Sequence, residues 1–297
     1  MSLTSSTLEH VEADLLTRVH ADGGFSHHRA GSYRADATAW AIIALYSFDN
    51  DKKRLQLSIA RLMADQRGDG SLGISTDHPE AFWPTSLAVL AGHLSTHDGQ
   101  HQARAIQFLL STTGRHWEKS SSDPMAHNPA LKGWPWIAET HSWVEPTAIS
   151  MTALRVAGYA RHARIEEATR MLMDRQLPHG GWNCGNTIVF GQELRPAPES
   201  TGAALHALAG LIPRESVQNS LEYLSTVVTR LHTPIAVGWS LLALNSWGAA
   251  PSNLSSLVED CLKRQERYGP YDTTSLCLLV LPLLRPNGLL GTSAGTD

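Results

Sequence analysis

Residues 176–182 read QLPHGGW, and residues 198–210 read PESTGAALHALAG. The first stretch follows an amphipathic segment and carries a glycine pair, which permits a tight turn, before a tryptophan. The second begins with an acidic residue and a threonine and continues with small and apolar residues, which is typical of a helix buried on all sides. Together they predict an outer helix, a glycine turn and a buried inner helix.

The second stretch belongs to a pattern that occurs six times along the 297 residues. Each copy has an acidic or bulky residue, any residue, a third position that is usually threonine, and then an apolar segment ending in Ala-Leu or a similar pair. The third positions are Thr38, Thr85, Thr147, Thr201, Val237 and Thr274. Six copies in one register indicate a repeat whose units stack around a common core.

Amphipathic segments alternate with the six apolar ones. They cover roughly 6–19, 52–66, 100–112, 162–176, 215–230 and 253–265. Six inner and six outer helices predict an all-α fold, an (α/α)6 barrel (α6–α6 toroid) of six helix-pair repeats. We expect one domain over 1–285, with the N-terminal helix in the outer ring, and a disordered tail over 286–297.

The glycine turns carry a family resemblance. The segment from Gln176 to Trp182 is similar to the Gln-x(n)-Gly-x-Trp repeat of squalene cyclases, in the prenyltransferase/squalene-oxidase repeat family. The resemblance extends over about 6–284 and implies the α6–α6 barrel of terpenoid cyclases and protein prenyltransferase β subunits. Single-domain bacterial squalene-cyclase-like proteins are the most similar group. Because these barrels carry several activities, the fold leaves the function open.

Two signatures of the family fall on the run Arg34-Ala35-Asp36-Ala37-Thr38. Zinc-dependent prenyltransferases carry Asp-x-Cys here, but Thr38 replaces the thiolate that binds zinc tightly. We therefore expect neither a metal nor a cofactor. Class II cyclases carry Asp-x-Asp-Asp-Thr, whose middle aspartate protonates an alkene. Asp36 matches that aspartate, whereas Arg34 and Ala37 replace its acidic neighbours, so the resemblance implies Asp36 as the acid.

The repeat register predicts four carboxyl groups around one mouth of the barrel, namely those of Asp36, Glu145, Glu199 and Asp272. Neighbouring carboxylates cannot all ionise, so one is expected to stay neutral and to act as an acid. Asp36 is favoured, with the other three tuning it. Alternatively, the four residues are caps and first-turn acids of their own helices. The aromatic residues expected to bind substrate are Trp40, Trp83, Trp134, Trp136, Trp143, Trp182, Trp239 and Tyr271.

Composition excludes several classes of function. The net charge is -4 and no basic stripe is present, so no nucleic-acid partner is expected. Neither a secretory signal nor an apolar run long enough to span a bilayer is visible. The three cysteines are too dispersed for a disulfide framework and predict reduced thiols in a cytoplasmic protein. The histidines His27, His28 and His141 are interpreted as solvated loop residues rather than metal ligands.

The sequence therefore favours a terpene cyclase-like enzyme or isomerase that acts on an isoprenoid or similar apolar chain by class II-like acid catalysis. Peripheral contact with a membrane is compatible with such a substrate. Three alternatives remain open. The barrel could be a non-catalytic module that binds an apolar ligand, a zinc-free relative of the prenyltransferase β subunits, or a glycosidase or lyase with paired carboxylates.

Overall fold

The computed structural model of the protein describes residues 3–48, 52–75, 78, 80, 82–95 and 99–291. The helices form two concentric rings. The outer ring contains α1 (Leu3–Leu16), α3 (Lys52–Ala64), α5 (Gln100–Ser111), α7 (Ala163–Asp174), α9 (Gln218–Val227) and α11 (Leu254–Lys263). The inner ring contains α2 (Ala35–Ser47), α4 (Trp83–Leu94), α6 (Val144–Leu154), α8 (Pro198–Leu208), α10 (Pro234–Ser246) and α13 (Thr273–Leu284).

The inner ring is closed, because each inner helix contacts the next one along the chain and α13 contacts α2. The N-terminal helix α1 packs against α11 and α13, which places it in the outer ring. These contacts confirm the predicted six-repeat barrel. The first and last repeats also meet through the buried Arg18, which donates hydrogen bonds to the carbonyls of His27 and Tyr271 at 2.8 and 2.9 Å.

Shorter elements connect the rings. They are the helix α12 (Gln265–Tyr268), a π-helical turn over Arg155–Tyr159, the 3-10 turns Arg214–Val217 and Val228–Arg230, and a hairpin of β1 (Ile188–Val189) and β2 (Gln192–Glu193). Within the described part of the chain this antiparallel hairpin is the whole of the sheet structure, apart from isolated bridges. The all-α prediction is therefore confirmed.

Small residues let the inner helices approach closely. A Cβ atom on Gly202 of α8 would lie 2.5 Å from the backbone of Trp239 in α10. A Cβ atom on Gly238 of α10 would lie 2.4 Å from the carbonyl oxygen of Leu278 in α13. Since such distances are shorter than any van der Waals contact, only glycine fits where these helices cross.

The repeated threonines attach each inner helix to the turn before it. Their hydroxyl oxygens accept hydrogen bonds of 2.8 to 2.9 Å from the backbone N–H groups of Phe25, Leu72, Trp134 and Trp182. These bonds account for the third position in four of the six copies. In the fifth copy Val237 has no hydroxyl to offer. In the sixth, Thr273 makes the tertiary contact instead of Thr274, by donating to the carbonyl of Ser26 in the first repeat.

The turn glycines pack against the next outer helix. Gly23, Gly70 and Gly180 have φ near +90°, and a Cβ on any of them would lie within 2.7 Å of the backbone of α3, α5 or α9 respectively. Gly269, the counterpart in the last repeat, has φ of +92°, but no described atom lies within 4 Å of its Cβ position. The glycines are therefore required both by the backbone and, in three repeats, by the packing.

The first part of the C-terminal tail contacts the barrel. Residues 286–291 lie against the C-terminal ends of the inner helices, and Leu289 is 1 % exposed. The backbone N–H of Leu289 donates to Nε2 of His206 at 3.0 Å, and Arg285 donates to Ser47 Oγ at 2.8 Å. Burial of Leu289 and these bonds hold the segment in place. Residues 292–297 lie outside the described residues. Among the described helices, none has the length and apolar character that a membrane crossing requires.

Candidate functional site

The inward face of the ring is marked by two tryptophans. Trp40 of α2 and Trp239 of α10 contact each other edge to face, with ring centroids 6.1 Å apart. Helix α13 separates α2 from α10 in the ring, so this contact passes through the barrel interior. Asp36 lies one helical turn before Trp40 and therefore on the same face. The second helical position of α2 accordingly faces the barrel mouth, and the repeat leads us to expect the same in α6 and α8.

Three of the four predicted acids occupy that second position. They are Asp36 in α2, Glu145 in α6 and Glu199 in α8. Asp272 does not share the register, because it is the N-cap of α13. Its carboxylate accepts hydrogen bonds from the backbone N–H and the hydroxyl of Ser275, at 2.8 and 2.9 Å. Of the two interpretations of Asp272, its contacts are those of a helix cap.

Asp36 is held as an ionised carboxylate. It is 2 % exposed and receives two hydrogen bonds of 2.9 Å from the guanidinium of Arg34, while Nε2 of His27 lies 3.3 Å away. Burial acts to raise the pKa of Asp36, but hydrogen bonds and positive charge from His27 and Arg34 outweigh it and lower the pKa to about 2. At neutral pH this carboxylate has no proton to donate.

His27 connects Asp36 to Asp272. Its Nδ1 lies 3.8 Å from Oδ1 of Asp272, opposite the contact to Asp36. The His27 ring therefore lies between carboxylates of the first and last repeats. The sequence predicts a solvated loop residue instead. We call this group, Arg34, His27, Asp36 and Asp272, the seam side of the mouth.

Glu145 has the opposite environment. The hydroxyl of Ser200, itself 2 % exposed, donates a short hydrogen bond to Oε1 of Glu145. Oε2 is buried and has no hydrogen-bond partner among the described residues. Burial raises the pKa of Glu145, the bonds from Ser200 and from its own backbone oppose the rise, and the charge of Glu199 adds to it. We call Glu145, Ser200 and Glu199 the far side, because α6 and α8 lie across the ring from α13 and α2.

The predicted aromatic residues fall into separate places. Trp40 and Trp239 lie in the interior, where His206 also contacts Trp239 with centroids 6.1 Å apart. Trp134 and Trp182 are wedges, since their buried indole N–H groups donate to the carbonyls of Leu109 in α5 and Leu172 in α7. The remaining four lie in the connections or at helix ends: Trp83 packs on Trp136, Trp143 precedes α6, and Tyr271 donates to the carbonyl of Cys261.

Three residues of the mouth were not predicted from the sequence as part of a site. Arg34 and Ser200 each lie beside an acid of the repeat, but nothing in their spacing shows which carboxylate they bind. His27 lies nine residues from Asp36, in a turn whose path depends on the closed ring. Among the described residues, no group of three His, Cys, Asp or Glu is arranged to hold a metal ion.

Comparison with known proteins rests on structure alone. No protein-family model matches the sequence, and no curated protein matches it. A structure of the type II terpene cyclase MstE from Scytonema is similar with a TM-score of 0.66 and 12% identity, covering 97% of this chain and 96% of that chain. The alpha-1,6-mannanase GH76A of Salegentibacter sp. HEL1_6 is similar with a TM-score of 0.63 and 13% identity, covering 97% and 99%.

This chain is an (α/α)6 barrel. A crystal structure of a protein from Actinoplanes gives the same result, with a TM-score of 0.60 and 17% identity over 90% of this chain and 83% of that one. At these identities the likeness establishes the fold and not the reaction. The same barrel occurs in terpene cyclases and in enzymes that act on carbohydrates. The reaction is therefore indicated by the residues at the mouth and not by the fold.

Proposed function

We propose that the protein is a terpene cyclase-like enzyme that cyclises or isomerises an isoprenoid or similar apolar chain by acid catalysis in the barrel. The observation that carries the proposal is the contrast between the two sides of the mouth. Glu145 has a raised pKa and a carboxyl oxygen without a hydrogen-bond partner among the described residues, whereas Asp36 has a depressed pKa and the partners Arg34 and His27. When the environments of two carboxyl groups move their pKa values in opposite directions, one group can serve as the acid while the other remains a stabilising anion.

The proposed roles follow from the opposite directions of the two pKa shifts. In its protonated form, Glu145 donates its proton to an alkene or epoxide of the substrate, which leaves a carbocation in the interior and a carboxylate at Glu145. The faces of Trp40 and Trp239 stabilise the positive charge. The ionised Asp36 adds electrostatic stabilisation from the seam side. Loss of a proton from the final cation to Glu145 or water ends the reaction, so an isomerisation needs no other reactant.

This proposal differs from the prediction made from the repeat register alone, in which Asp36 is the acid. Arg34 replaces a carboxylate of the class II motif and converts the neighbourhood of Asp36 from acidic to basic. Structures of MstE in complex with geranylgeranyl dihydroxybenzoate, named as its substrate, support an isoprenoid chain as ligand of a barrel of this shape. The substrate class is part of our proposal for this chain.

A substrate screen tests the function. Purified full-length protein is incubated with C10 to C30 isoprenoids, including prenylated aromatic acids, and products are analysed by gas chromatography and mass spectrometry. We expect a cyclic or isomerised product with wild type and with Glu222→Gln, a matched control at an exposed glutamate. We expect at least about a hundredfold less product with Glu145→Gln.

Other outcomes separate the alternatives. Saturable binding of an isoprenoid without any product would favour a non-catalytic binding module. Release of sugar from an alpha-1,6-mannan oligosaccharide, included because of the mannanase likeness, would replace our proposal with glycoside hydrolysis. Neither binding nor turnover of any isoprenoid would reject the substrate class.

A further inference from the structure

The long connection between α5 and α6 lines a pocket. It packs on the hairpin after α7, where the backbone of Ala126 donates to the carbonyl of Ile188 at 2.9 Å. The pocket lies between this connection and Arg175, Gly185 and Asn186, and its volume is about 180 Å³. The lining residues that matter are Arg115, Trp117, His127, His141, Trp143 and Arg175. The mechanism proposed for the barrel uses none of them.

The pocket is electropositive. Two arginines and two histidines line it, and none of its described lining residues is acidic. No carboxylate of the described residues forms an ion pair with the exposed Arg115. Arg175 is partly compensated, because Nε lies 3.5 Å from Oδ2 of Asp174. Burial and, to a smaller extent, the nearby charges of Arg175 and Lys119 lower the pKa of His127 to about 4.

Two buried polar atoms of the lining lack hydrogen-bond partners among the described residues. They are Nδ1 of His127 and Nε of Arg175, and both side chains belong to residues that are 6 % exposed. The guanidinium of Arg175 is fixed by a hydrogen bond of 2.9 Å from Nη1 to the carbonyl of Gly185. Buried polar groups normally have partners, and both of these atoms belong to side chains that line the pocket.

The aromatic lining limits the shape of that ligand. The ring centroid of His141 lies 5.1 Å from that of Trp117 and 6.4 Å from that of Trp143. Aromatic rings suit a flat apolar group, and the arginines suit an oxyanion. A tetrahedral anion would use the arginines but leave the aromatic lining without a contact.

We propose that this pocket binds a small planar aromatic carboxylate, with its oxyanion toward Arg115 and Arg175 and its ring against Trp117 and Trp143. The carboxylate is either a free molecule or the end group of a larger substrate. The proposal concerns binding only and stands whether or not the barrel is a cyclase.

Direct titration of the full chain tests the site, using benzoate, benzamide and inorganic phosphate as separate ligands. Calorimetry and tryptophan fluorescence give the dissociation constants. We expect saturable binding of benzoate at millimolar concentration or tighter, and neither ligand lacking the carboxylate should bind comparably. Because Arg115 is exposed, Arg115→Ala keeps the fold and should weaken benzoate binding at least about tenfold. Arg230→Ala, at another exposed arginine, should leave the binding unchanged.

The result that overturns the proposal is equal binding of benzoate and benzamide, an Arg115→Ala variant that binds like wild type, or no saturation by about 10 mM. Binding of phosphate in place of benzoate would show that the ligand class is wrong. A prenylated benzoate separates the two sources. If the prenylated benzoate binds more tightly than benzoate and benzoate displaces it, the pocket binds the end group of a larger substrate. If the two ligands bind with equal affinity, the pocket binds the free acid.

Discussion

On the seam side of the mouth, Asp36 lies between the guanidinium of Arg34 and the imidazole of His27. On the far side, Glu145 is bonded to a serine hydroxyl and lies near a second glutamate. The two acids occupy the same position of equivalent helices, yet their pKa values move in opposite directions. Position in the repeat therefore brings the carboxyl groups to the mouth, and the partners supplied by neighbouring segments decide in which direction each pKa moves.

The largest expected difference between the two sides is in turnover. Removing a general acid typically costs about 10²–10⁴ in rate, so Glu145→Gln should lose that much of kcat. Asp36→Asn removes only an anion that stabilises the cation from a distance, and a loss on the order of tenfold is expected. The measurement is kcat for product formation by the two variants on the substrate that the screen identifies.

Folding is the control for this comparison, because both substitutions keep the shape of the side chain. Circular dichroism spectra of the two variants should overlay that of wild type. The reverse order of activities, with Asp36→Asn inactive and Glu145→Gln active, would return the role of acid to Asp36 and contradict our proposal.

The fold could be predicted from the sequence because its signals are local and repeated. The spacing of Thr38, Thr85, Thr147 and Thr201 reflects one hydrogen bond that each copy makes to its own turn. The site could be predicted only in outline. Three acids share the register, but Asp272 has moved to the N-cap, a shift that depends on how α13 begins.

The charge states at the mouth could not be predicted, because they depend on contacts between segments distant in sequence. Ser200 lies 55 residues from Glu145. His27 reaches Asp272 only because the last repeat closes on the first. Arg34 is a local partner of Asp36, but its effect is visible only once the carboxylate is known to be buried.

A second difference between the sides is in the turns that precede α8 and α13. Gly180 and Gly269 have φ of +96° and +92°, so alanine at either position strains the backbone by about 1–3 kcal/mol. Alanine at 180 would in addition place its Cβ 2.7 Å from the backbone of Asn219. Gly180→Ala should therefore lose about 1–3 kcal/mol more in the free energy of unfolding than Gly269→Ala.

Urea denaturation of the two glycine variants measures this difference. Gly269→Ala is the matched control, because it carries the backbone strain without the clash. Equal losses in the two variants would mean that the backbone conformation alone requires these glycines and that the far-side turn has room to shift.

A third difference is in the pH dependence of stability. The folded pKa of Asp36, about 2, is below the unfolded value of about 3.9. Its contribution, on the order of 2 kcal/mol, is therefore present above pH 4 and is lost as the pH falls through 2. The folded pKa of Glu145 is above its unfolded value. Its contribution is present below the unfolded pKa and is lost as the pH rises through the folded one.

Denaturation of wild type, Asp36→Asn and Glu145→Gln between pH 2 and 8 separates the two contributions. The stability of wild type relative to Asp36→Asn should rise with pH on the acid side, while its stability relative to Glu145→Gln should fall above about pH 4. Slopes of the same sign would show that the two carboxyl groups share one environment.

The smallest expected difference concerns the remaining acids of the two sides, Asp272 and Glu199. Asp272 accepts two hydrogen bonds from Ser275 at the start of α13, so Asp272→Ala should lower the free energy of unfolding by about 0.5–2 kcal/mol, as the loss of an N-cap does. Glu199 lies inside the first turn of α8, where no cap bond to its carboxylate is seen among the described residues. Glu199→Ala should therefore change stability by less than about 0.5 kcal/mol. Thermal denaturation of both variants at pH 7 measures the pair. If the two losses are equal, Asp272 is not acting as a cap, and its position beside His27 would then have to be explained by the charge of the seam side rather than by the start of α13.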